Sequence, residues 1–164
     1  MTWDAWAAAE ARTIRASGRW RAPRDLDARG PEGRIDGRGE PVVSFASNDY
    51  LGLTTHPAVV AAAHEALDRW GTGAGSARLI VGSRPVHGEL ERELAAWKGA
   101  ERSALFPTGF AANLGVLTAF GTAGVLCCSD ELNHASIIDG CRLARAETHV
   151  YRHRDLDHLR TLLR

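Results

Sequence analysis

The chain of 164 residues has a single lysine, Lys98, against nineteen arginines. Chemistry on a lysine amine therefore has one candidate. Lys98 lies between Trp97 and Gly99, and reads instead as a cation at a helix C-terminus, where the helix dipole favours positive charge. Net charge is lacking too, since twenty basic side chains balance twenty acidic ones. No overall field draws such a chain to nucleic acid or to an anionic membrane, and small-molecule chemistry is the better expectation. The three cysteines, Cys127, Cys128 and Cys141, are odd in number and form no C-x-x-C pair. That argues against a disulfide framework or a zinc knuckle and suits a reducing cytoplasm. No apolar run approaches a membrane span, and the opening MTWDAWAAAEARTIRASG carries acidic residues where a secretory signal needs apolar ones. His149 and His153 are four apart but lack a carboxylate-bearing helix beside them, so no metal site is expected.

What is present is enough apolar content, 45%, for one compact domain with a sizeable core. Residues 2–17 read as a helix lying on another surface, with Trp3, Trp6, Ala7 and Ile14 as its apolar positions and Gly18 as its end. Residues 18–40 turn to Gly, Pro, Arg and Asp, the composition of an extended arm or irregular turns. The division expected is 1–40, helix and arm, and 41–164, a domain. Within the latter, 41–46 reads as a strand, Pro57 starts a helix to about Trp70, 71–76 is too glycine-rich to be regular, and 86–98 is helical. From Ser103 onward, short apolar strands at 103–106, 124–128 and 147–151 alternate with helices at about 109–120, 135–145 and 156–163. That alternation implies an α/β domain with a mostly parallel sheet and flanking helices.

Several residues stand out against this frame. Thr108-Gly109-Phe110-Ala111-Ala112-Asn113 turns from a strand into a helix, where bare N–H groups can hold a phosphate, although an ordinary strand–helix turn explains it as well. His134, followed by small Ala135 and Ser136, sits between a strand end and a new helix, with room for a flat ring against its face. Asn48 follows an apolar strand and serves either as a turn or helix cap or as a donor to a substrate carboxylate. Arg12, Arg15, Arg19, Arg21 and Arg24 form a solvated face or meet phosphates and carboxylates. The run 71–75 lacks the ending of a nucleotide P-loop and reads either as a flexible turn or, with Ser76-Ala77-Arg78, as a substrate-facing loop. The other histidines read as surface residues.

With these residues in view, the chain resembles the α-oxoamine synthase family of pyridoxal phosphate enzymes, within the fold-type I aminotransferase-like superfamily. The resemblance rests on SNDYLGL from Ser47, GTGAGSARLIVGSRPVHGELERELAAW from Gly71, TGFAAN from Thr108 and LNHAS from Leu132. It implies the N-terminal helix and arm plus part of the transferase large domain. It also implies backbone amides of Gly109 and Phe110 on the cofactor phosphate, and His134 as a catalytic residue stacked on the pyridine ring and touching substrate. Asn48 would lie on the amino-acid carboxylate and Arg19 on the acyl substrate. Family members are homodimers with active sites at the subunit interface, and residues 73–78 are the candidate to reach the partner's site. The tail YRHRDL from Tyr151 and GFAAN point to the branch that condenses L-alanine with pimeloyl-CoA or pimeloyl-acyl-carrier protein in biotin synthesis. The branches that handle 2-amino-3-ketobutyrate and 5-aminolevulinate also fit the stretch 133–140.

The family's later half supplies an acid for the pyridinium nitrogen, a histidine near the cofactor hydroxyl and the Schiff-base lysine, and none has a counterpart here. The expectation is a truncated frame, inactive alone; a non-catalytic homologue that binds ligand or partner is the alternative.

Overall fold

Local capping chemistry decides where the helices begin. The structure, a computed structural model, describes residues 2–37 and 39–164 and divides into two units, Met1–Gly73 and Ala74–Arg164. In the first, Thr2 Oγ1 accepts from Ala5 N to start α1 (Trp3–Ala16), satisfying a first-turn donor. Trp3 and Trp6 meet edge to face at 5.8 Å, and no residue of the helix is buried. His56 Nδ1 accepts from Ala58 N in front of α2 (Pro57–Trp70), whose first residue is the expected proline.

The segment expected as an irregular arm is instead a small antiparallel sheet. Strands β1 (Leu26–Ala28), β2 (Glu32–Ile35) and β3 (Val42–Val43) pair in that order, with Leu26 opposite Ile35 and Glu32 opposite Val43. The strand expected at 41–46 shrinks to β3. These strands are short and largely exposed, so no buried face imposes the alternation by which a strand is recognised.

The second unit carries the expected α/β alternation. A π-turn (Arg78–Gly82) precedes α3 (Pro85–Lys98), then come α4 (Gly109–Phe120), β4 (Leu126–Asp130), α5 (Ala135–Leu143), β5 (Glu147–Tyr151) and α6 (Leu156–Leu162). Strands β4 and β5 are parallel, in register from Leu126 opposite Glu147 to Asp130 opposite Tyr151, with α5 as the connection. Two strand readings need correction. Residues 103–106 form no strand: Leu105 N donates to Glu91 Oε1 at 2.9 Å and Ser103 Oγ to Glu91 O at 2.7 Å, so α3 takes the bonds a ladder would have used. Strand β4 starts two residues after 124 because Gly124, at φ +87°, completes a turn closed by Val125 N on Thr122 O. Helices α4 and α5 approach closely at Gly140, where a Cβ would stand 2.5 Å from Leu117 Cδ1. Among the described residues no helix is long and apolar enough to cross a membrane.

Candidate functional site at the starts of α4 and α5

Thr108 caps α4 with both of its oxygens. Its Oγ1 accepts from Ala111 N and its carbonyl from Ala112 N, each at 3.0 Å. The N–H groups of Gly109 and Phe110 are left without a partner among the described residues. They stand at the positive end of the helix dipole, the arrangement that receives an anion. Beyond its chain neighbours and its own helix backbone, nothing lies within 4 Å of where a Gly109 Cβ would be, so no other element packs against this face of the first turn.

The turn after β4 brings His134 to the same place. Leu132 N donates to Asp130 Oδ1 at 2.8 Å, Asn133 N to Asp130 O, and Asn133 Nδ2 to Ser129 Oγ at 2.9 Å. This short knot delivers His134 as the residue capping α5. Its exposed ring lies 6.3 Å from that of Phe110, the planes at 74°. The structure therefore brings Phe110 and His134 together, although a strand precedes only His134 and the expected strand before Phe110 does not form.

Two residues of this cluster carry no assignment from sequence. Ser136, fully buried, has its Oγ 2.7 Å from His134 Nδ1, and Asn113 Nδ2 on α4 donates to that Oγ at 2.9 Å. The signal that could have found them is local for Ser136, a hydroxyl two residues past a capping histidine. For Asn113 it exists only across the α4–α5 contact. A third feature, the pair of His153 Nδ1 with Asp130 Oδ1 at 3.0 Å, shows that His153 is held rather than free. Asp130 is kept below its usual carboxylate range, first by the Leu132 N–H and then by His153.

Arg19 and Asn48 lie in the first unit. Arg19 Nε donates to Ser17 Oγ at 3.0 Å just past α1, and its side chain is exposed. Asn48 Oδ1 accepts from Tyr50 Oη at 3.4 Å, whereas its NH₂ has no partner among the described residues. Asp49, rather than Asn48, performs the capping of this turn. Its carboxylate accepts from Leu53 N, Thr54 N and Thr54 Oγ1, and these bonds, the Thr54 hydroxyl foremost, lower its pKa. In the second unit Arg78 is committed to Glu91, with Nη1–Oε1 at 2.7 Å and Nη2–Oε2 at 3.1 Å. Lys98 is the last residue of α3, its Nζ 4.4 Å from the Trp97 ring centre and followed by left-handed Gly99. The starts of α4 and α5 thus place two unpartnered amides and an exposed imidazole near one another, donors of the kind a phosphate-bearing ring requires.

The chain is 49% identical over 164 residues to the 8-amino-7-oxononanoate synthase of Methylobacterium sp. (strain 4-46), covering 99% of this chain and 43% of the relative. It is 49% identical over 135 residues to that of Thermoanaerobacter pseudethanolicus, covering 82% and 34%. The chain therefore spans roughly a third to two fifths of the curated relatives it matches. Among solved structures, serine palmitoyltransferase from S. paucimobilis with bound PLP–myriocin superposes with a TM-score of 0.81 at 31% identity, covering 96% of this chain and 40% of that one. The 8-amino-7-oxononanoate synthase of Francisella tularensis gives 0.61 at 28%, covering 72% and 33%. The family model for aminotransferase class I and II matches residues 40–164, a span that contains every residue of the α4–α5 site. The chain belongs to the aminotransferase class I and II family.

Proposed function

We propose that the chain supplies the phosphate-holding and ring-facing part of an 8-amino-7-oxononanoate synthase. Such an enzyme joins L-alanine to the acyl carbon of a pimeloyl thioester, on CoA or an acyl carrier protein, with loss of carbon dioxide, in cytoplasmic biotin synthesis. The observation that carries the reading is the meeting of Phe110 and His134, at 6.3 Å, beside two unpartnered helix N–H groups. Identity of 49–53% over most of the chain to enzymes of that name supports it.

Pyridoxal 5'-phosphate, when bound, supplies an electron-accepting ring conjugated to the α-carbon of the amino acid. Gly109 and Phe110 would hold the phosphate through their unpartnered amides at the start of α4. His134 would face the cofactor ring and contact substrate. Asn48 offers its unpartnered NH₂ to the alanine carboxylate, and Arg19 offers a guanidinium to the acyl substrate. The working form is a homodimer in which residues 73–78 reach toward the partner's site.

Likeness to serine palmitoyltransferases, which superpose over more of the chain than the Francisella synthase does, favours a second reading in which serine and a long-chain thioester are the substrates. The solved Francisella synthase is also less identical, at 28% against 31–33%, but the curated synthases reach 49–53% and support the first reading. The test replaces the matching segment of the Methylobacterium synthase with this chain and assays alanine, glycine and serine against pimeloyl and palmitoyl thioesters. Alanine with pimeloyl thioester should be preferred. His134→Ala should lower kcat/KM by about 100-fold, the loss expected when reacting groups are misplaced, while Asn48→Ala raises KM for alanine and Arg19→Ala raises KM for the thioester. A chimera that folds and binds cofactor but prefers serine, or tolerates His134→Ala, overturns the reading.

A further inference from the structure

We infer that Asn113 and Ser136 are positioning residues for His134: they fix its ring with Nδ1 as an acceptor and leave Nε2–H as the group offered to a ligand. The inference rests on the cofactor reading of this site and extends it. Three contacts carry it. Ser136 N–H lies 3.2 Å from His134 Nδ1, and a backbone N–H can only donate, so Nδ1 holds a lone pair. Ser136 Oγ, 2.7 Å from the same nitrogen, must therefore direct its proton there. The hydroxyl's free lone pair faces Asn113 Nδ2 at 2.9 Å, an amide group that also only donates. One backbone group thus sets the direction of every bond in the chain. The reverse order, with Nδ1 protonated and the Asn113 carbonyl turned to Ser136, would set two donors against each other at Nδ1.

Burial makes the arrangement costly to lose. Ser136 is fully buried, so no water replaces a missing partner, whereas His134 is exposed. Asn113 projects from the helix whose first turn holds the unpartnered amides, and the close approach at Gly140 and Leu117 brings it within reach of α5. The phosphate end and the ring end of the site are therefore held in register across 23 residues of sequence. The ligand atom opposite Nε2 is an acceptor, such as a carboxylate or phenolate oxygen, and not an ammonium.

Long-range proton–nitrogen NMR of the His134 ring in the unliganded chain, at a pH above the ordinary imidazole range, reads the arrangement directly. The expected result is one tautomer with Nδ1 unprotonated. Ser136→Ala keeps the 3.2 Å N–H contact but removes the shorter 2.7 Å hydroxyl bond that holds the ring to it, so the two ring-nitrogen shifts should move toward each other as ring orientations average. Asn113→Asp, which can only accept and so draws the Ser136 proton away from His134, should do the same, and it carries the test if Ser136→Ala does not fold. A protonated Nδ1 in the wild type, or ring shifts unmoved in a folded variant, overturns the inference. Titration of the wild type with pyridoxal 5'-phosphate, read at the Gly109 and Phe110 amides, addresses the cofactor reading separately. No response there with the tautomer intact would sink that reading and leave the positioning role standing.

Discussion

Glu91 takes two roles that its sequence neighbours do not announce. It receives the Arg78 guanidinium and the Leu105 N–H, and these, with the arginine first, hold its carboxyl down to about 2 against an opposing push from burial. A depressed folded-state value means stability that is full above the ordinary value of 4.5 and lost as pH falls through about 2. Denaturation of the wild type and Glu91→Gln across pH should therefore show a gap near neutrality that closes toward pH 2; a constant gap would show that the charge is not involved. Burial likewise pushes the Cys127 thiol up to about 11, helped by Cys141 at 3.4 Å. Alkylation of Cys127 should be slow at neutral pH, because the thiolate is the nucleophile, and should quicken in alkali; rapid stoichiometric labelling at neutral pH contradicts this. At this scale Gly109 and His134 were legible because each marks a helix start in its own few residues. Asn113 and Ser136 were not, because their partnership exists only once α4 and α5 touch.

Helices were legible where their caps were local. His56-Pro57 starts α2, Thr108 starts α4 and Gly99 ends α3 as their residue types suggest. Strands were less so, since β1 to β3 are two to four residues long and take their identity from partners rather than pattern. The extended run 103–106 failed for the converse reason, having strand composition but bonding to α3. Two substitutions test the α4–α5 element by denaturant unfolding. Gly140→Ala, whose Cβ would stand 3.0 Å from Leu117 Cβ and closer to its Cδ1, should cost about 1–3 kcal/mol through overpacking. Thr108→Ala, which removes the acceptor for Ala111 N, should cost about 1 kcal/mol. A neutral Gly140→Ala would mean that the two helices are not in close contact.

Across the whole molecule, apolar surface is left open. Ala95 and Cys141 are the buried hydrophobic residues among those described, whereas Phe45 is 96% and Leu79 97% exposed, with Ile80 and Val81 also largely exposed beside Leu79. A patch of that kind calls for cover. The chain by itself should bind a hydrophobic dye and self-associate as concentration rises, with Leu79→Ser and Ile80→Ser reducing both. A dye-negative monomer at high concentration would contradict this. The central claim, that α4 and α5 begin at one cofactor site, is tested most directly by amide NMR of the chain titrated with pyridoxal 5'-phosphate and, in parallel, with pyridoxal. The phosphate-bearing compound should shift Gly109, Phe110 and His134 together in a saturable manner, and pyridoxal should move Gly109 and Phe110 far less. Equal responses to the two compounds, or shifts scattered away from the starts of α4 and α5, would contradict it.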